Sequence, residues 1–460
     1  MKMKKVFSSL MALGLATTLV ACGGNTDKDA EKPADNANEA TDTENKDDAS
    51  TDENADTEDN ADDKTDDKES DENADDEDAE AKKELENFEK QTADDTLVIG
   101  TSELNGDWLQ GWTNSAYDVK VRRLLGIEGN NGYGTVVQDE GGQWVTNPTV
   151  VDGEIEKIDN EDGSRTYRTK IKQGLKYSDG VEIKADDFLF GNLLFSHPSY
   201  IPVTAATTIG SDSAKGYEAY HNGDTDIFEG QKKIDDYTFE YTVDASFLPY
   251  FEEASLMGLS PFPMHEVTEN LVVSKDGQKL ETKEGYEVTE EDKKNYKDSL
   301  QQQIDKQNED FDADYPAPED DASEDEKAEY NAAKEEHDAA IKKLEEKRDG
   351  EVDPTILLIE QAMLNVANNY RTNPKAVTGP YQYDGFENNM VKLSLNPEYA
   401  GNFKGDKATI PHIIVQTVNS NIAVDLLENG DIDIWEEESD GGKIDQMRAA
   451  TDAGKIKYNT

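Results

Sequence analysis

Cysteine is almost missing from this chain: of its 460 residues, only Cys22 carries a thiol. One cysteine excludes an intramolecular disulfide, and its place near the N-terminus removes thiols from any metal site or nucleophile in the folded part. Positive charge is also scarce, with 46 Lys and Arg against 103 Asp and Glu and a formal net charge of −57. Binding to nucleic acid needs cations that displace phosphate counterions, so that partner class is excluded. The five histidines show no paired spacing. Also absent are Gly-x-Ser-x-Gly, His-Glu-x-x-His and a phosphate loop, so the chain reads as a non-enzyme without a cofactor.

The acidity is concentrated in blocks. Residues 25–80 hold 26 acidic and 5 basic residues, and not one Val, Ile, Leu, Met, Phe, Trp or Tyr. Such a stretch has nothing to bury and cannot offset the entropy of ordering. Residues 23–95 are therefore expected to be a disordered acidic linker, kept extended by self-repulsion. Before it, Lys2, Lys4 and Lys5 precede an apolar run, Val6 to Val20, that is too short for a comfortable membrane span. Residues 1–22 thus read as a secretion signal. Its end, Leu19-Val20-Ala21-Cys22, resembles a bacterial lipobox. The resemblance implies acylation of Cys22 and an extracytoplasmic protein anchored by lipid to the outer face of the cell membrane.

Folded sequence is expected over 96–460. Thr96 to Gly100 is a short β run. The loop after it carries Asp107, Trp108, Trp112 and Asn114. Two Trp residues in a polar loop suit a site that grips varied side chains by shape and π surface, but the same rings could equally be packed on the adjacent domain. Residues 281–350 hold 25 acidic and 11 basic residues and look like an insertion. Tyr296, Leu300, Ile304 and Phe311 form one helical stripe, and Tyr330, His337, Ile341 and Leu344 a second. With Pro316-Ala317-Pro318 between them, they predict an antiparallel helical hairpin, thinly apolar and read as a solvated decoration.

The chain is organised around Gly174 to Phe195. Ser178-Asp179-Gly180 is a tight-turn signal. Ala185-Asp186-Asp187 then places carboxylates in the first turn of a helix, where free N–H groups favour them. The following Phe188, Leu189, Phe190, Leu193, Leu194 and Phe195 are apolar nearly all round, so the helix should be buried. Further on stand Pro263-Met264-His265, Gly379-Pro380-Tyr381, Asn396-Pro397-Glu398-Tyr399 and Gly430-Asp431-Ile432-Asp433, and His265 reads as structural.

In this order, these elements closely resemble the family 5 extracellular solute-binding proteins, the oligopeptide- and dipeptide-binding lipoproteins of ABC importers. There are two departures. Lys184 stands where the family usually has a hydroxyl cap, and Asn105-Gly106-Asp107-Trp108 replaces its usual Asp-Pro. The resemblance implies an α/β fold, periplasmic-binding-protein-like, of the type II three-domain variety. It also implies that most of the C-terminal lobe is missing after Thr460. Function follows as an expectation: a monomeric, lipid-anchored protein that captures peptides and delivers them to the permease and ATPase subunits of an ABC transporter. Ligand contacts are expected at Asp107, Trp108, Trp112, Asn114, Trp435 and Glu436. The same scaffold serves nickel chelates, haem and sugars, and a surface receptor or adhesin is the alternative from another class.

Overall fold

The computed structural model describes residues 83–109, 116–199, 212–318, 322–436 and 438–458. Of four sheets among the described residues, two are large and each carries one unit of the fold. The first sheet has the strand order Tyr381–Glu387, Met390–Leu395, His412–Thr417, Thr96–Thr101, Ile434–Trp435. In it β1 (Thr96–Thr101) runs parallel to both its neighbours, β12 (His412–Thr417) and β13 (Ile434–Trp435). The strands β10 (Tyr381–Glu387) and β11 (Met390–Leu395) add an antiparallel flank. Val98 and Ile99 point to opposite faces, as a strand's period of two requires, and each joins a different core cluster.

The second sheet is antiparallel, in the order β4-β5-β7-β6: β4 (Glu156–Asp159), β5 (Arg165–Lys170), β6 (Gln231–Asp235) and β7 (Thr238–Val243). Helix α1 (Ala185–Ser196) lies on it, buried almost throughout as its composition predicts. Phe188 stacks on Phe239 at 5.2 Å, and the Asn192 amide donates to Gln231. Lys184 is not a gap in the capping. Its backbone N–H donates to the Asp187 carboxylate at 2.8 Å, so the reciprocal half of a capping box survives without a hydroxyl. Burial pushes the Asp187 carboxyl up to about 6, with the Lys184 N–H and the charge of His265 opposing.

The motifs converge on one seam. Ser178 donates its N–H to Val377 O and its hydroxyl to Lys375 O. Asp179 meets His265 Nε2 at 2.8 Å, so His265 closes the Ser-Asp-Gly turn. Glu266 accepts the N–H groups of Lys375 and Ala376.

Two expectations need correction. Residues 83–95, placed in the expected linker, are folded. Lys83 to Asn87 is helical, Leu85 and Phe88 pack on the core below β1, and Thr92 donates to Gly430 O. These two apolar side chains supply what residues 25–80 lack. Second, the hairpin forms from helices Glu290–Asp314 and Glu324–Asp349, but its base is no decoration. Tyr296 and Leu300 belong to the main core, and Lys347 makes an ion pair with Glu360, which is itself buried on the helix Pro354–Asn365.

Candidate functional site

Parallel strands of an open α/β sheet present their carboxyl ends as the place where ligands bind. Here those ends are Thr101, Thr417 and Trp435. Gly100 makes room for the indole: a Cβ there would stand 2.9 Å from Ile432 Cδ1 and 3.0 Å from Trp435 Cε3. Trp435 is half-buried, and its Nε1 donates to Glu438 at 3.3 Å. Glu436 is exposed and pairs with Lys120 at 3.4 Å, which ties the end of β13 to the helix Asp118–Leu125. Beside Trp435 lies a hollow of about 830 Å³, to which Met447, Ile456 and Tyr458 contribute.

The described part of the loop after β1, residues 102–109, is held by buried carboxylates. Asp118 is fully buried and accepts the N–H groups of Asn105 and Asp107 at 3.0 and 3.3 Å. Burial raises its carboxyl above the usual carboxylate range, while those two donors and Arg122 hold the shift back. Asp107 is buried as well, with Arg371 at 3.9 Å, and the Trp108 N–H donates to Arg371 O at 2.8 Å.

The sequence-predicted residues separate accordingly. Trp435 and Glu436 sit together at the strand ends. Asp107 is a buried member of the loop and faces Arg371. Trp108 has no exposed surface: its ring meets Phe386 edge-on at 5.5 Å and tilts against Tyr383 at 6.1 Å. It is packed in the core in this structure. Trp112, Asn114 and the lipidation candidate Cys22 lie outside the described residues. Sequence reasoning missed Asp118, Lys120 and Arg371. The first two alternate with apolar residues at a helix start, where charge reads as solvated surface.

A separate cavity of about 290 Å³ is walled by Tyr177, Phe188, Phe195, Phe262 and Tyr370, all of the main core cluster. Among the described residues, no group of three or more His, Asp or Glu side chains is placed to hold a metal ion.

The model of bacterial extracellular solute-binding proteins, family 5 Middle, matches residues 149–459. A search of curated protein sequences finds no match. Among solved structures, the chain is similar to lactococcal OppA complexed with an endogenous peptide in the closed conformation. That similarity has 16% identity and a TM-score of 0.42, over 77% of this chain and 47% of that one. It is also similar to NikZ from Campylobacter jejuni in complex with Ni(L-His), with 16% identity and a TM-score of 0.39, over 74% of this chain and 43% of that one. A third is the oligopeptide-binding protein AppA from Bacillus subtilis in complex with a nonapeptide: 14% identity, TM-score 0.38, 77% of this chain and 45% of that one. The chain spans about half the length of these structures.

Proposed function

Because this chain belongs to the family 5 bacterial extracellular solute-binding proteins, we propose that it captures oligopeptides outside the cell and delivers them to an ABC transporter. Acylation at Cys22 would hold it on the membrane, with the acidic linker as the tether. The observation that carries the reading is the Lys120–Glu436 pair at 3.4 Å, set beside Trp435 at the carboxyl ends of the parallel strands.

Such a pair offers a peptide ammonium the Glu436 carboxylate, held in place by the largely buried side chain of Lys120, and the indole gives its side chains a flat apolar surface. The pair is exposed on its Glu436 side, so a ligand ammonium can compete for that carboxylate without entering the core. Binding is non-covalent, and closure of a second wall over the peptide would exclude water from these contacts.

The reading is tested in membranes from the host. Peptide uptake and peptide-stimulated ATP hydrolysis should both fall when the gene is deleted and return when it is restored. Uptake that is unchanged by the deletion would remove the transport role. If uptake falls but an unrelated metal chelate or sugar is the solute lost, the family reading stands and the peptide assignment fails.

A further inference from the structure

The second unit carries an aromatic tip that the strand-end site does not use. After β7 the chain turns through Phe247-Leu248-Pro249-Tyr250-Phe251. Phe251 is 87% exposed, Phe247 41% and Tyr250 40%, and the rings of Tyr250 and Phe251 lie 5.0 Å apart. Single exposed hydrophobics need no explanation, but three aromatic rings within five residues mark a contact surface.

Both ends of the tip are fixed. The Asp244 carboxylate accepts the N–H and the hydroxyl of Ser246 at 2.9 and 2.7 Å. Glu253 accepts from Lys157, Arg165 and the Tyr167 hydroxyl, which binds the far end to β4 and β5. A tip held this way loses little freedom on docking.

Its rim is acidic. Asp244 and the exposed Glu252 flank the aromatics, and the turn before β5, whose Gly163 abuts Ala245, adds Glu161 and Asp162. The cations nearby are already engaged: Lys157 and Arg165 with Glu253, and Lys215 with Asp162 and Glu229. An anionic lipid surface repels such a rim, and a second copy would bring the same sign of charge. We propose that Phe247, Tyr250 and Phe251 form a docking tip for a protein partner that offers an apolar cleft bordered by Lys and Arg. The rings act as anchors and the acidic rim sets the orientation.

The test places p-benzoylphenylalanine at position 251 of the full-length protein in its own host and irradiates intact cells, with mass spectrometry mapping each cross-linked residue. The expected result is one protein partner, cross-linked within an apolar segment flanked by Lys or Arg. Yield should fall several-fold with Phe247→Ser and Tyr250→Ser together. In isolated membranes it should fall again as salt rises from about 0.1 to about 1 M, which shortens the screening length from about 10 to about 3 Å. Cross-links to lipid, to a second copy, to another part of the same chain, or to scattered proteins would overturn the proposal, as would none at all. Because the rings are exposed, the double variant should melt like the parent, which separates loss of docking from loss of fold.

Discussion

Gly126 and Gly379 lie backbone against backbone. A Cβ on Gly126 would stand 2.4 Å from the Gly379 nitrogen, and one on Gly379 would stand 2.3 Å from the Gly126 nitrogen. The Gly379 N–H donates to Leu125 O at 2.8 Å, and the Thr378 hydroxyl to Gly126 O. The turn after the helix Asp118–Leu125 is thus locked to the segment that enters β10. Neither backbone can retreat without breaking these bonds. Gly379→Ala should therefore lower stability by about 3 kcal/mol or more. Gly174→Ala meets no atom within 4 Å and pays only for its positive φ, about 1 kcal/mol. Urea unfolding of the two variants should separate them clearly.

Asp187 makes the stability depend on pH. Its carboxyl is raised in the fold from its ordinary 3.8 to about 6, chiefly by burial. Between those values the folded chain binds more protons than the unfolded one, so this group's contribution falls as pH rises from about 4 to about 6. At pH 7 the penalty is on the order of 3 kcal/mol. Asp187→Asn keeps an acceptor for the Lys184 N–H and removes the ionisation. Its stability relative to the parent should rise across that pH window, measured by urea unfolding at fixed pH steps. Parallel pH profiles would contradict the assignment.

The hairpin divides into an outer part and a base. Phe311 stacks with His337 at 4.3 Å in the outer part, whereas Tyr296 and Leu300 are in the main core. Removing residues 304–340 with a short Gly/Ser closure should leave the main melting transition within a few degrees. Removing 289–348 leaves Glu360 without Lys347, a loss of about 3–5 kcal/mol, and adds the burial lost with Leu300, about 2–5 kcal/mol. Comparing the two melts tests the division.

Cys22→Ala should release the protein from membranes into the detergent-poor phase, because no other thiol exists to carry an acyl chain. Membrane retention equal to the parent's would show that the anchor lies elsewhere.

How far the sequence was legible depended on local chemistry. The Ser178-Asp179-Gly180 turn and the buried helix after it could be read because turn residues and an all-apolar run act locally. The burial of Trp108 could not, because its polar neighbours are drawn inward with it: Asp107 is itself buried facing Arg371, and Asn105 gives its backbone N–H to Asp118. The docking of Leu85 and Phe88 was hidden by the acidic residues around them. The hairpin base was hidden because Glu360, the partner of Lys347, sits outside the inserted block in sequence. Asp118 and Lys120 gave no signal, since their partners come from the loop after β1 and from the end of β13.

The central claim is peptide capture at the ends of β1 and β13, and calorimetric titration of the full-length protein with a mixed oligopeptide pool tests it most directly. The account predicts saturable binding that weakens roughly tenfold, about 1.4 kcal/mol, in Trp435→Ala and in Glu436→Gln, with the melting temperature little changed. Binding of equal strength in both variants, or no heat from any peptide in the pool, would contradict it.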